Sequence, residues 1–296
     1  MLTRIDRVQI AVPDRAEATR GWVDLLGAEP DGEDDIACLG ARRSRYRLGA
    51  SWVELLEPAG DGPVADALAQ RGRGHLFAAG AATPDLDLLV ARLSRVGRPV
   101  VEGGQAHLTA ADTGGHGLRL VVSPEERAGG AGDPVGLEPF LYEVTNLVAD
   151  PAAVCAGYAE RFALEPSQFV PIESDAYGYR GQLTLFAPDR LHRFEVINPY
   201  DRDKTMGRFH EKLGDALYMA FAEMPDLGAV ERRFADAGAP HTSVPPPAGR
   251  RGRGDGDGPH TVFVHPPVLG GMMLGLSRPT YAWTWSGHPE RVERTA

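Results

Sequence analysis

"WVELLEP" (Trp52–Pro58) and "RFEVINP" (Arg193–Pro199) are two versions of one phrase. Each is strand-like. Each sets a glutamate, Glu54 or Glu195, four residues ahead of a proline, and each precedes a polar loop that leads to another strand. A chain that writes one strand twice is read for internal repeats before it is read for single motifs.

Working outward from the first copy, "RIDRVQIAVPD" (Arg4–Asp14) alternates at period two, as a strand does. "AEATRGWVDLLG" (Ala16–Gly27) has helical spacing at Ala18, Trp22, Leu25 and Leu26 and a glycine stop. Three short strand candidates follow, the last of them "SWVELLEP". After a polar segment the order starts again: strand "HLFAAGA" (His75–Ala81), helix "PDLDLLVARLSRVG" (Pro84–Gly97), then "QAHLTAAD" and "GLRLVVSP" as paired strands. The second half repeats it. "FLYEVTNLVAD" leads into helix "PAAVCAGYAERFAL" and strands near "QFVPI", "GQLTLFA" and "HRFEVINP". "ALYMAFAEMPD" leads into helix "DLGAVERRFADAG" and strands "HTVFVHP" and "GGMMLGLSRP". The sum is four β-α-β-β-β modules. The glycine-rich stretch "EERAGGAGDPVG" splits the chain nearly in half. The domains expected are therefore 1–124 (modules one and two) and 137–296 (modules three and four), with 125–136 as linker.

Composition narrows the function. The 296 residues carry a net charge of −10, so no broad basic face is offered to a phosphate backbone, and no nucleic-acid partner is expected. The dense basic run "GRRGRGDGDG" (Gly249–Gly258) alternates into aspartates and glycines and reads as a surface loop. Cys38 and Cys155 are far apart and form no CxxC pair. With no apolar leader and no apolar run of membrane-spanning length, a cytoplasmic protein without a membrane partner is expected. The aromatic tail "TYAWTWSGHPE" reads as packing across a sheet or a subunit interface, and a homodimer is one expectation.

The fourfold repeat resembles the vicinal oxygen chelate superfamily, which includes glyoxalase I, methylmalonyl-CoA epimerase, extradiol dioxygenases and bleomycin-resistance proteins. "IDRVQIAVPDRAEA", "VELLEP", the polar stretch to "RGRGH" and "DLDLLVARL" follow the pattern of an epimerase-like member. The resemblance spans nearly the whole chain and implies an α+β fold, four modules forming two glyoxalase-like domains with cupped mixed sheets. It also implies a divalent metal in a cup, held from the first and last strands of each module. Those positions are Arg7 and Glu54, His75 and Arg119, Glu143 and Glu195, and Tyr218 and Gly275, with Tyr218 placed to within about one residue.

Which ligands meet depends on which modules share a cup. One with two gives Arg7, Glu54, His75 and Arg119; three with four gives Glu143, Glu195, Tyr218 and Gly275. Both are poor sets, since arginine stays protonated and glycine has no side chain. Two with three brings His75, Glu143 and Glu195 together as metal ligands, with Arg119 in the fourth place. One imidazole and two carboxylates suit zinc, nickel, manganese or iron. Such a metal would polarise a carbonyl and stabilise an enediolate-type anion. The implied activity is isomerase, epimerase or lyase chemistry on a small oxygenated carbonyl compound, with Glu143, Glu195 and Arg119 catalytic. Arg119, Arg193, Tyr177 and Tyr179 are the expected substrate contacts.

The same residues also read structurally. His75 is then a buried histidine bonded to backbone, Glu143 and Glu195 pair with Arg119 and Arg193, and Arg7 pairs with Glu54 in a cup without metal. On that reading the cup is a metal-free small-molecule binding or resistance site.

Overall fold

A computed structural model of the protein describes residues 1–125, 135–245, 258–278 and 282–283. Most of the expected linker (126–134), nearly all of the basic run 249–258 and most of the aromatic tail lie outside the described residues.

Module one is β1 (Arg4–Ala11), α1 (Arg15–Arg20), β2 (Glu29–Ile36), β3 (Ala41–Leu48) and β4 (Ser51–Pro58); α2 (Pro63–Arg71) follows it. Module two is β5 (His75–Thr83), α3 (Leu86–Leu93), β6 (Val100–Glu102), β7 (Gln105–Leu108) and β8 (Leu120–Pro124). Module three is β9 (Phe140–Leu147), α4 (Pro151–Phe162), β10 (Val170–Ser174), β11 (Tyr179–Leu185) and β12 (Arg193–Asn198), followed by α5 (Thr205–Leu213). Module four is β13 (Ala216–Glu223), α6 (Leu227–Asp236), β14 (His241–Val244), β15 (Thr261–Val264) and β16 (Met273–Ser277).

One local device starts the helix of every module. Asp14, Asp85, Asp150 and Asp226 each lie two or three residues past a strand and accept, through a side-chain oxygen, the backbone N–H three residues on. Such a cap satisfies one orphan donor of the helix and is worth about 1 kcal/mol. The repeat is thus written in the turns as well as in the strands.

The strands form two eight-stranded mixed sheets, in the orders β2-β3-β4-β1-β5-β8-β7-β6 and β10-β11-β12-β9-β13-β16-β15-β14. In each module the first strand pairs in parallel with the last, and the remaining strands meander antiparallel. This is the α+β fold of two glyoxalase-like domains that the repeat implied. The sheets join module one with two and module three with four, the pairing that offered the poorer metal sets. By packing, the chain groups into two compact units. One comprises Met1–Ile5, Ala78–Gly132 and Glu143–Tyr218; the other comprises Asp6–Phe77, Asp133–Tyr142 and Met219–Ala296.

Strand alternation separates core from site. In module three, Val144 pairs with Phe194, and Phe194 stacks on Tyr158 and Phe162 of α4 at centroid distances of 5.8 and 6.1 Å. Burying an aromatic ring of this size stabilises by roughly 2–3 kcal/mol. Glu143 and Glu195 sit one residue out of phase with that pair, so they point to the face opposite the helix. Module one repeats the pattern: Val8, Ile10, Val53 and Leu55 are buried on one face, with Arg7, Gln9 and Glu54 on the other.

Candidate functional site

Residues paired across adjacent strands project to the same face. In module one Arg7 lies opposite Trp52 and Gln9 opposite Glu54. In module three Glu143 lies opposite Arg193 and Thr145 opposite Glu195. Glu54 and Glu195 therefore occupy one position in two copies, as their spacing to proline suggested, but their surroundings differ.

Glu54 is held by two guanidiniums and an amide. Arg7 Nη1 donates to its Oε1 at 2.7 Å, Arg43 Nη1 to both oxygens at 3.2 Å, and Gln9 Nε2 to Oε2 at 2.8 Å. Each arginine has a second carboxylate, Asp6 for Arg7 and Asp34 for Arg43. Trp52 stacks against Arg7 and Arg47, whose guanidinium carbons lie 5.2 and 4.6 Å from its ring. Burial works to raise the Glu54 carboxyl, but the charges of Arg7 and Arg43 and the Gln9 donor outweigh it and hold it below the usual carboxylate range. The expected Arg7–Glu54 ion pair is present, inside a larger network.

Module three holds two carboxyls on one guanidinium. Arg193 Nε donates to Glu143 Oε2 at 2.6 Å, and Arg193 Nη1 to the Leu191 carbonyl at 3.1 Å. Thr145 Oγ1 donates to Glu195 Oε2 at 2.5 Å. Burial, reinforced by the neighbouring Glu143 charge, pushes the Glu195 carboxyl up to about 8, against the Thr145 hydrogen bond and the Arg193 charge. Burial also raises Glu143, opposed by Arg193. Among the described residues, Arg193 is the cation that opposes the rise of both carboxyls.

The even modules depart from expectation. Ala79 pairs with Leu120, so Leu120 shares the face of Ala79 and His75, while Arg119 is out of phase with it. Tyr218 and Gly275 are likewise on opposite faces, because Ala220 pairs with Leu274 and Phe221 with Gly275. Gly275 has a packing reason: a Cβ there would lie 2.3 Å from the Phe221 ring. The half-buried Tyr218 packs edge-on against Phe209 at a centroid distance of 5.0 Å. His75 is buried on the first sheet, its Nδ1 donating to the Arg73 carbonyl at 3.0 Å. Tyr177 is exposed in the β10–β11 turn. Tyr179 is buried, and by alternation it shares the face of Leu183, which pairs with Glu195.

A divalent metal is what the resemblance implies, and the residues present do not fit one. Module one sets guanidiniums on Glu54. Module three offers one carboxyl tied to Arg193 and one that accepts a hydrogen bond from Thr145. Among the described residues, no three His, Cys, Asp or Glu side chains come together in a group that could hold a metal ion; of the expected ligands, His75 is on the first sheet and Glu143 and Glu195 are on the second. Sequence reading missed Gln9, Arg43 and Thr145. The signal for each was alternation: Thr145 is two residues past Glu143, Gln9 two past Arg7, and Arg43, Arg45 and Arg47 recur at period two in "RRSRYRL".

No helix among the described residues is long and apolar enough to cross a membrane. No protein-family model and no curated protein matches the chain. Solved structures do. A variant of 4-hydroxymandelate synthase from Streptomyces coelicolor matches at 16% identity and a TM-score of 0.67, over 98% of this chain and 100% of that one. A methylmalonyl-CoA epimerase from Mycobacterium tuberculosis matches 47% of this chain and 87% of its own at 23% identity and a TM-score of 0.37. A Streptomyces coelicolor methylmalonyl-CoA epimerase matches 42% and 99% at 26% and 0.36. The half-chain scores are too low to carry an argument, whereas the full-length match spans both eight-stranded sheets. The chain has the fold of that synthase, four β-α-β-β-β modules in two glyoxalase-like domains.

Proposed function

We propose that the chain acts on a small oxygenated carbonyl compound by metal-independent proton transfer at the Glu143–Glu195 pair. One observation carries the reading: two buried carboxyls on the same face of paired strands lie beside one guanidinium among the described residues, Arg193, and burial raises both, so on this reading they share one proton. A carboxyl poised near neutral pH can both give and take a proton, which is what general acid–base catalysis asks of it. The pair would remove a proton from carbon next to a carbonyl and return one to carbon or oxygen, giving isomerisation or epimerisation. Expulsion of a leaving group after the first step would give a lyase. Arg193 adds positive charge beside the developing enolate, and Tyr179, on the Glu195 face, is placed to line the approach.

The test is deuterium exchange by proton NMR in D2O, with a chelator present, over a panel of small 2-oxo and 2-hydroxycarbonyl compounds. Exchange is expected with the wild type, and a loss of roughly 10²–10⁴-fold with Glu195→Gln. No exchange over the whole panel, or undiminished exchange in the variant, sinks the reading. Binding without exchange would point to the metal-free binding protein instead.

A further inference from the structure

The two charged sites differ at one more position. In module one, Arg43 on β3 pairs with Leu56, two residues past Glu54, and its guanidinium reaches Glu54. The same place in module three, on β11 opposite Ile197 and two residues past Glu195, is Gly181. Backbone closes around this glycine: a Cβ there would lie 2.1 Å from the Val196 carbonyl oxygen. β11 therefore sets no side chain at the position that Arg43 holds on β3. Directly opposite Glu195 is Leu183, where module one has Arg45. Glu195 is consequently a buried carboxyl with Thr145 as its one hydrogen-bond donor among the described residues. It retains 7% of its surface, whereas Glu54 is sealed at 0%.

We propose that Glu195 receives the cationic nitrogen of a small molecule, a guanidinium or primary ammonium, in the place that Arg43 fills on Glu54. The ligand's cation would take the place of the shared proton, which leaves to solvent, and so complete in trans the charge balance that module one completes with its own side chain; a charge-assisted contact to a buried carboxylate is among the stronger polar interactions a site can make. The proposal deepens the acid–base reading and rests on it for the role of Glu195: the substrate becomes a carbonyl compound that carries a cation.

Calorimetry on the full chain with methylguanidinium, methylammonium and the neutral isostere methylurea tests this. Methylguanidinium is expected to bind the wild type and methylurea not. Glu195→Gln, which matches the protonated side chain in shape, should weaken the cation roughly tenfold or more. Leu183→Arg, which brings the chain's own guanidinium beside Glu195, should do the same, and the distant Glu57→Gln should leave binding unchanged. Equal binding of urea and guanidinium, or full affinity in Glu195→Gln, overturns the proposal. Proton exchange on neutral carbonyl compounds without cation binding removes this proposal and leaves the acid–base reading. Cation binding lost in Glu195→Gln, with no exchange on any compound, does the reverse.

Discussion

Modules one and three place a glutamate at the same point of the same strand and give it opposite protonation. Glu54 faces two guanidiniums and is held below the usual carboxylate range. Glu195 shares one guanidinium with a second carboxylate and is pushed up to about 8. Both are buried, so burial alone does not decide the outcome. The count of cations per carboxylate does. The difference teaches that a duplicated strand keeps its geometry while the charge around it is free to diverge, and that divergence separates a structural site from a reactive one.

The comparison can be broken most forcefully at Glu54. Replacing it with glutamine takes a charged partner from two buried arginines at once. A loss of about 3–5 kcal/mol is expected, since removing one member of a buried ion pair strands the other. Urea unfolding at pH 7 measures it, and a loss below about 1 kcal/mol would mean that Asp6 and Asp34 alone suffice for the arginines.

The next effect is one of pH. The folded chain keeps a proton on Glu195 that the unfolded chain releases near 4.5, so this group's contribution to stability is full below 4.5 and is lost as pH rises through about 8. The change is on the order of 5 kcal/mol. Glu54 runs the other way: its contribution is present above 4.5 and is lost as pH falls through its lowered value. Glu195→Gln should flatten the alkaline limb of a stability–pH curve and leave the acid limb. If both limbs stay, the proton is not on Glu195.

The smallest effect sharpens the comparison at Thr145. Its hydroxyl donates to Glu195 and opposes the rise of that carboxyl. Thr145→Val should move the alkaline limb to higher pH and change stability by only about 1 kcal/mol. An unmoved limb would show that the hydroxyl does not tune the carboxyl.

The fold was legible because its signals are local and repeated: period-two strands, glycine stops, and the glutamate before a proline. Two helices were not. α2 buries Val64 and Ala67, and α5 buries Met206, Gly207 and His210, so neither writes an apolar stripe along an otherwise polar segment. The site was legible in the odd modules, where strand alternation runs unbroken from Glu143 to Thr145 and from Arg7 to Gln9. It failed in module two, where the glycine-rich stretch before β8 hides the register. The proline spacing that marks Glu54 and Glu195 would have selected Leu120, four residues before Pro124, over Arg119. Which modules share a sheet lies in no local pattern, because hydrogen bonds between first strands set it.

The parallel closure of β1 on β4 also has a kinetic meaning. The antiparallel meander of β2, β3 and β4 and the Asp14 cap involve near neighbours in sequence, whereas Gln9 meets Glu54 only after the intervening chain is arranged. Contacts of long sequence separation pay their loop-closure entropy first and form slowly. The Arg7–Glu54 contact thus carries a loop-closure cost that the Arg43–Glu54 contact, made inside the β3–β4 hairpin, does not, and it sets a slower pace for closing module one than for forming its meander.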